Sequence, residues 1–147
     1  MPTPIVPQGT LNRVRCSVIV PNTPALNITA QYMGKSFASI SFEGDFTKLI
    51  PTGTGGVPSP EPYVMASISV GILRTQALAS SWRSQWESNG ALGGLTIHSD
   101  TAAFDAFPLS DCVIQHFDPN AFDGEDPVSR LTLMGIYYIN NDMWNFQ

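Results

Sequence analysis

The sequence predicts a mainly β protein, a β-sandwich or partly open barrel of about seven strands with one flanking α-helix over residues 73–89. Three observations predict it. Period-two alternation of apolar and polar residues recurs along most of the chain; helical periodicity occurs once, after residue 73; and 43% apolar content in 147 residues is enough for one core without staples. One helix among many strands must cover one side of a β-structure. There is no internal repeat or low-complexity segment, so residues 1–147 read as a single domain.

The elements follow in order. Residues 1–11, with Pro2, Pro4, Pro7 and Gly9, form an extended N-terminal arm that cannot join a central strand. Such arms need a neighbour to lie against, which makes Pro4, Ile5 and Pro7 candidates for contact between subunits. Residues 12–20 alternate, with Val14, Cys16, Val18 and Val20 inward and Arg13, Arg15 and Ser17 outward. Pro21-Asn22-Thr23-Pro24 turns the chain into a second strand, in which Leu26, Ile28, Ala30 and Tyr32 alternate with Asn27, Thr29 and Gln31. After a turn at Met33-Gly34-Lys35, residues 36–46 put Ala38, Ile40, Phe42 and Phe46 on one face and Ser39, Ser41, Glu43 and Asp45 on the other.

Residues 50–62 carry Pro, Gly, Thr and Ser around Val57 and no secondary-structure signal. A loop this long in a compact domain is functional or disordered, and the strands on either side favour an arm that orders on a partner over a linker between domains. The longest alternation spans residues 63–72: Val64, Ala66, Ile68, Val70 and Ile72 face one way, and Ser67, Ser69 and Gly71 the other. The period then becomes helical. Ala77, Leu78, Trp82 and Trp86 form the apolar stripe, Arg74, Gln76, Arg83, Gln85 and Glu87 supply the wet side, and Asn89-Gly90 closes the helix in the left-handed conformation.

Gly93-Gly94 leads into a short strand through Ile97. Residues 99–108 are a loop with Phe104 and Phe107 tucked down. Residues 109–117 are a strand with apolar side chains on both faces, Cys112 and Ile114 against Val113 and Phe117. An acidic turn over 118–127 precedes the last strand, 129–139, whose apolar residues on both sides place it centrally. In the tail, residues 140–147, Trp144 and Phe146 must dock on their own core or on another subunit.

Charge excludes one class of function. The net charge is −5, and Arg130 is the only cation after residue 99, against eight acids. A protein that grips nucleic acid through phosphates has the opposite balance. No apolar run is long enough for a membrane-spanning helix, and Met1-Pro2-Thr3-Pro4 lacks the regions of a secretory signal, which predicts a soluble protein made in a cytoplasm and no membrane contact. Cys16 and Cys112, among Val and Ile, are expected to be buried and reduced.

The chemistry-bearing residues form no recognisable site. His98 with Asp100 lacks a second cluster for a metal, and His116 alternates in a strand beside Ile114 as a rim or core histidine. The turn 118–127 superficially matches a calcium loop, but Asp123 comes one residue late and no bidentate Glu follows. No serine sits in a nucleophile elbow, no glycine-rich loop joins strand to helix, and neither cysteine has an activating base in sequence. Trp82 and Trp86, one turn apart, read as the core face of the helix rather than a ligand cage. The expectation is a protein that is not an enzyme, with no metal and no cofactor.

Five stretches together resemble the tail tube proteins of contractile-tailed bacteriophages: Phe42-Glu43-Gly44-Asp45, Ser59-Pro60-Glu61-Pro62-Tyr63, Leu73-Arg74-Thr75-Gln76-Ala77-Leu78-Ala79, Ile97-His98-Ser99-Asp100-Thr101-Ala102, and Gly135-Ile136-Tyr137-Tyr138-Ile139-Asn140-Asn141-Asp142-Met143-Trp144. The resemblance spans nearly the whole chain and is one of pattern and size. It implies a β-sandwich with one helix, hexameric rings whose sheets join into an inner barrel, and stacking into a conduit for double-stranded DNA inside a sheath. The partners it implies are copies of itself, the tail sheath protein, and the baseplate and tail terminator proteins, in a virion tail.

On that reading Ser39, Ser41, Glu43, Asp45, Ser67 and Ser69 face the lumen, a wall of short hydroxyls and acids that repels DNA rather than catching it. The loop segment Pro51, Thr52, Gly53, Thr54, Gly55, Gly56, Val57, Pro58, Ser59 and Pro60 makes ring-to-ring contacts, with the arm and the aromatic tail between subunits. A baseplate tube-initiator or a type VI secretion-like tube subunit fits the same residues. Readings from other classes are a monomeric ligand-binding β-barrel, with Trp82 and Trp86 as a carbohydrate platform, and a hydrolase.

Overall fold

The computed structural model describes residues 8–12, 14–34 and 38–142. Pro4, Ile5, Pro7, Trp144 and Phe146, the residues expected between subunits, lie outside the described residues. The described residues form β1 (Ser17–Ile19), β2 (Ser39–Glu43), β3 (Thr47–Pro51), β4 (Gly56–Pro60), β5 (Tyr63–Leu73), α1 (Ala77–Ser88), β6 (Ala91–His98), β7 (Phe107–Asp118) and β8 (Val128–Tyr138). Six strands make one antiparallel sheet in the order β1-β6-β7-β8-β5-β2, curled into a half-barrel, while β3 and β4 pair only with each other.

The alternation of β5 sets the two faces of this sheet. Val64, Ala66, Ile68, Val70 and Ile72 are buried, and Met65, Ser67 and Ser69 between them are half-buried on the second face. Antiparallel pairing carries the split across the sheet, because directly opposed residues share a face. Ile68 thus meets Leu133 and Val70 meets Leu131 on the core face. The helix closes this core from one side, lying on the turn Pro24–Leu26 and on β5, with Trp82 fully buried and Leu78 beside it.

The helix begins at Ala77, four residues later than expected, after Gln76 in extended conformation. Its end also differs. Asn89 is extended (φ −158°, ψ 112°) rather than left-handed, and its side chain accepts a hydrogen bond from the Ala91 N–H at 3.0 Å, which turns the chain straight into β6. Trp86 is not part of the core: it is 38% exposed and lies 5.9 Å from the Phe117 ring at the rim.

The N-terminal third departs most from simple alternation. The expected strand over 12–20 shrinks to β1, with Val14 exposed. The expected strand over 26–32 is two 3-10 turns, Pro24–Leu26 and Ala30–Tyr32, separated by Ile28, which bridges Val18 through two backbone hydrogen bonds of 2.8 Å. Proline at the start of the first turn presets its φ and removes a ladder donor, so a tight turn wins over a strand. Leu26 and Ile28 are buried nonetheless.

Two further corrections come from local backbone geometry. Gly44, at φ +81°, ends β2 and bends the chain on its way into β3, so the strand expected over 36–46 stops at Glu43. In β7 the pairing with β8 slips between Ser110 and Val113 and again between Ile114 and His116. An extra residue changes the phase of alternation. Cys112, Ile114 and Phe117 therefore all reach the core side, and Phe117 is not opposed to Ile114. At the same place β8 approaches closely because Gly135 has no side chain: a Cβ there would come 2.6 Å from Cys112 Sγ.

Of residues 50–62, expected to be structureless, 50–60 are the outer part of a β-hairpin. Ile50 opposes Val57 and Leu49 opposes Pro58 across β3 and β4. Its base is pinned by the Glu61 N–H donating to Phe46 O at 3.0 Å and by Asn140 Nδ2 donating to Phe46 O and Glu61 O at 3.0 and 2.9 Å.

Candidate functional surface

Five of the six residues expected to face a lumen lie together on the second face of the sheet. Ser39 opposes Ser69, Ser41 opposes Ser67, and Glu43 opposes Met65. Asp45 is not among them, because it follows the bend at Gly44 and belongs to the connection into β3. Register extends each pair into a row across four strands: Ser39-Ser69-Thr132-His116, Ser41-Ser67-Met134-Val113, and Glu43-Met65-Ile136-Ser110.

The rows grade along the strands. At one end Gly71, Arg130 and Asp118 continue the polar part, and Arg130 donates to Ser69 Oγ at 3.4 Å. At the other end Tyr63 opposes Tyr138, both about half exposed, beside Met65 and Ile136. Ionised groups are few and of both signs: Glu43 and Asp118 against Arg130. The surface is thus rich in hydroxyls, with two acids against one cation, and Asp45 does not add to it. Sequence reading missed Arg130, Thr132, Met134 and Ile136 here. The signal was present in the alternation of Arg130 and Thr132 with Leu131 and Leu133.

The hairpin β3–β4 leaves the tyrosine end of the sheet. It projects with Leu49, Ile50 and Val57 at 71%, 50% and 53% exposure, and Phe46 at its base is half exposed. Pro51, Thr52, Gly53, Thr54, Gly55, Gly56, Pro58, Ser59 and Pro60 complete its outer part. An isolated two-stranded ribbon is marginal in water, and the described residues leave apolar side chains on both of its faces uncovered.

The remaining candidates are dispersed. His98 ends β6 opposite Ser17, while His116 stands on the second face opposite Thr132. Among the described residues no three of His, Cys, Asp and Glu are grouped to hold a metal ion. Cys16 and Cys112 are free and buried; burial pushes both thiols up, Cys112 to about 11, with the charge of Asp111 adding to it. Trp82, the proposed platform, is enclosed and cannot meet a sugar.

No protein-family model and no curated protein matches the sequence. Solved structures do. The chain is similar to one in the tail of an empty GTA particle with C6 symmetry, at TM-score 0.57 and 13% identity over 86% of this chain and 95% of the other. A chain in the virion of a native gene transfer agent particle gives TM-score 0.54 and 13% identity over the same shares. The tube-terminating cap of the anti-feeding prophage gives TM-score 0.50 and 17% identity over 92% of this chain and 96% of that one. At these identities the likeness is one of fold: the chain shares the fold of these chains from phage-like particles.

Proposed function

We propose that this chain is the tube subunit of a phage-like tail, a structural rather than an enzymatic protein, which assembles as stacked hexameric rings around a channel for double-stranded DNA. The observation that carries the reading is the two-faced sheet. One face is a closed apolar core, and the other presents Ser39, Ser41, Ser67, Ser69 and Thr132 in register. Hydroxyls keep a bound layer of water, and the cation of this face, Arg130, is turned onto Ser69 Oγ and stands opposite Asp118, so a duplex meets no wall of free positive charge and slides past. The six-fold symmetry of the gene transfer agent tail supports six copies per ring. A contractile sheath around the tube, a baseplate below it and a terminator above it complete the proposed particle, located in the virion tail. The likeness to a tube-terminating cap favours a second reading, in which the subunit ends a tube instead of building it.

Electron microscopy of the purified protein separates these. Tubes that lengthen with concentration support the tube subunit, single or double rings of fixed height support the cap, and monomers at high concentration in several buffers would sink both. The face itself is tested by Glu43→Lys. Glu43 is exposed at the end of β2, so the fold is expected to survive. In a closed ring each copy then adds a cation near the wall, and assembled tubes are expected to retain DNA with an affinity that falls steeply with salt. A filter-binding titration reads this, and normal tubes with no gain in DNA retention would remove this face from the channel.

A further inference from the structure

The loop joining β7 to β8 is held in an unusual way. Arg74, just past the end of β5, donates from its guanidinium to three backbone oxygens of this loop: Ala121 O at 2.6 Å, Pro119 O at 3.4 Å, and Asp126 O. Its own N–H donates to Pro127 O at 2.8 Å, and its guanidinium carbon lies 5.5 Å from the centre of the Phe122 ring. Phe122 is nevertheless 83% exposed, the most exposed of the large apolar side chains described. A cation spent on ordering a loop whose aromatic residue faces water is a preorganised contact, since the ordering cost is met before a partner arrives.

The position of the loop names the partner. The hairpin β3–β4 leaves the sheet where Tyr63 opposes Tyr138, and the Phe122 loop leaves it where Leu73 opposes Val128. These are opposite ends of β5, ten residues and about 33 Å apart, so neither can cover the other within one molecule. We propose that the Phe122 loop, set by Arg74, is the seat for the β3–β4 hairpin of a second copy. Leu49, Ile50 and Val57 bring apolar surface to Phe122, and Lys48, the one cation of the hairpin, meets a loop that carries Asp123 and Glu125. Two different patches at opposite poles make a heterologous contact, which repeats head to tail without closing. The inference rests on the tube reading and gives it a receiving surface, with Arg74 as a positioning residue.

The test is covalent capture in assembled protein. Val57→Cys combined with Phe122→Cys is expected to give a ladder of disulfide-linked oligomers on mild oxidation, with neither single variant doing so. The buried Cys16 and Cys112 leave the background silent. Arg74→Gln is expected to stay folded by circular dichroism while raising the concentration needed for tubes about tenfold, roughly 1.4 kcal/mol of contact free energy. Arg74→Lys should not restore assembly, because one ammonium lacks the planar fork. Tubes that form normally without cross-linking, or an Arg74→Gln protein that assembles like the parent, would overturn the seat alone. A Phe122→Asp protein that forms normal tubes but fails to take up a sheath would give the loop to the sheath and overturn it too. Absence of tubes in the unaltered protein would remove the tube reading, and the seat with it.

Discussion

Replacing residues 47–60 by a four-residue Gly-Ser turn is expected to leave a folded protein that no longer forms tubes. Among the described residues the hairpin β3–β4 shares no ladder with the main sheet, and its exposed Leu49, Ile50 and Val57 contribute nothing to the core around Trp82. Closure is easy at its base, where the Glu61 N–H already meets Phe46 O at 3.0 Å. Changing the length of a flexible connection alters closure entropy by only about 0.6 kcal/mol per doubling. Sedimentation and electron microscopy should therefore show rings or free subunits with an unchanged melting transition. If the shortened protein polymerises as well as the parent, the hairpin is not the element that joins rings. If it fails to fold, the hairpin belongs to the domain in a way its ladder does not reveal.

Trp82→Ala is expected to cost about 3–5 kcal/mol of folding stability, because the whole indole is enclosed between the helix and the sheet and its removal leaves a large cavity. Loss on that scale takes up a large share of a domain's margin. Trp82 also carries a particular burden: its Nε1–H is buried with no hydrogen-bond partner among the described residues. An unmet buried donor costs about 1–3 kcal/mol. Trp82→Phe gives up part of the packing but also removes the donor, so its cost should not exceed about 2 kcal/mol. Urea denaturation of the three proteins reads both numbers from the midpoints. A Trp82→Ala protein within about 1 kcal/mol of the parent would show that the helix is not anchored through this residue.

How far the sequence reveals this molecule depends on where one rule of local physics acts alone. The faces of β5 are readable because Tyr63 to Val70 alternate without a break, and buried Val64, Ala66, Ile68 and Val70 lie where period two puts them. The hydroxyl face is readable for the same reason, since Ser39, Ser41, Ser67 and Ser69 inherit the phase of their strands. Asp45 is lost to one glycine, as positive φ at Gly44 ends the count. The hairpin escapes notice because Pro51, Pro58 and Pro60 argue against a strand. In a two-stranded ribbon each strand has one edge free, and a proline without a donor is tolerated there. Phe117 is misassigned because bulges in β7 shift the phase, and no residue type announces a bulge. Arg74 is expected on the wet side of the helix, and its grip on a loop forty-five or more residues away has no counterpart in the local pattern.

The border of the sheet at β2 has a consequence for the life of the free subunit. Among the described residues Ser39–Glu43 takes strand partners from β5 alone, so one whole side of its backbone is open. The strand is five residues long, with no proline or lysine in it and a single charge, Glu43, at its end. Natural sheets commonly guard such borders against unwanted pairing. A newly made subunit is therefore in a race: either a correct neighbour takes the open backbone, or an unrelated strand does and the chain precipitates. Low synthesis rates and a ready template should favour the first outcome, while overproduction without one should favour fibrous aggregates that bind amyloid dyes. Seen this way, Glu43 stands guard over the solubility of the free chain, whatever the strand later pairs with.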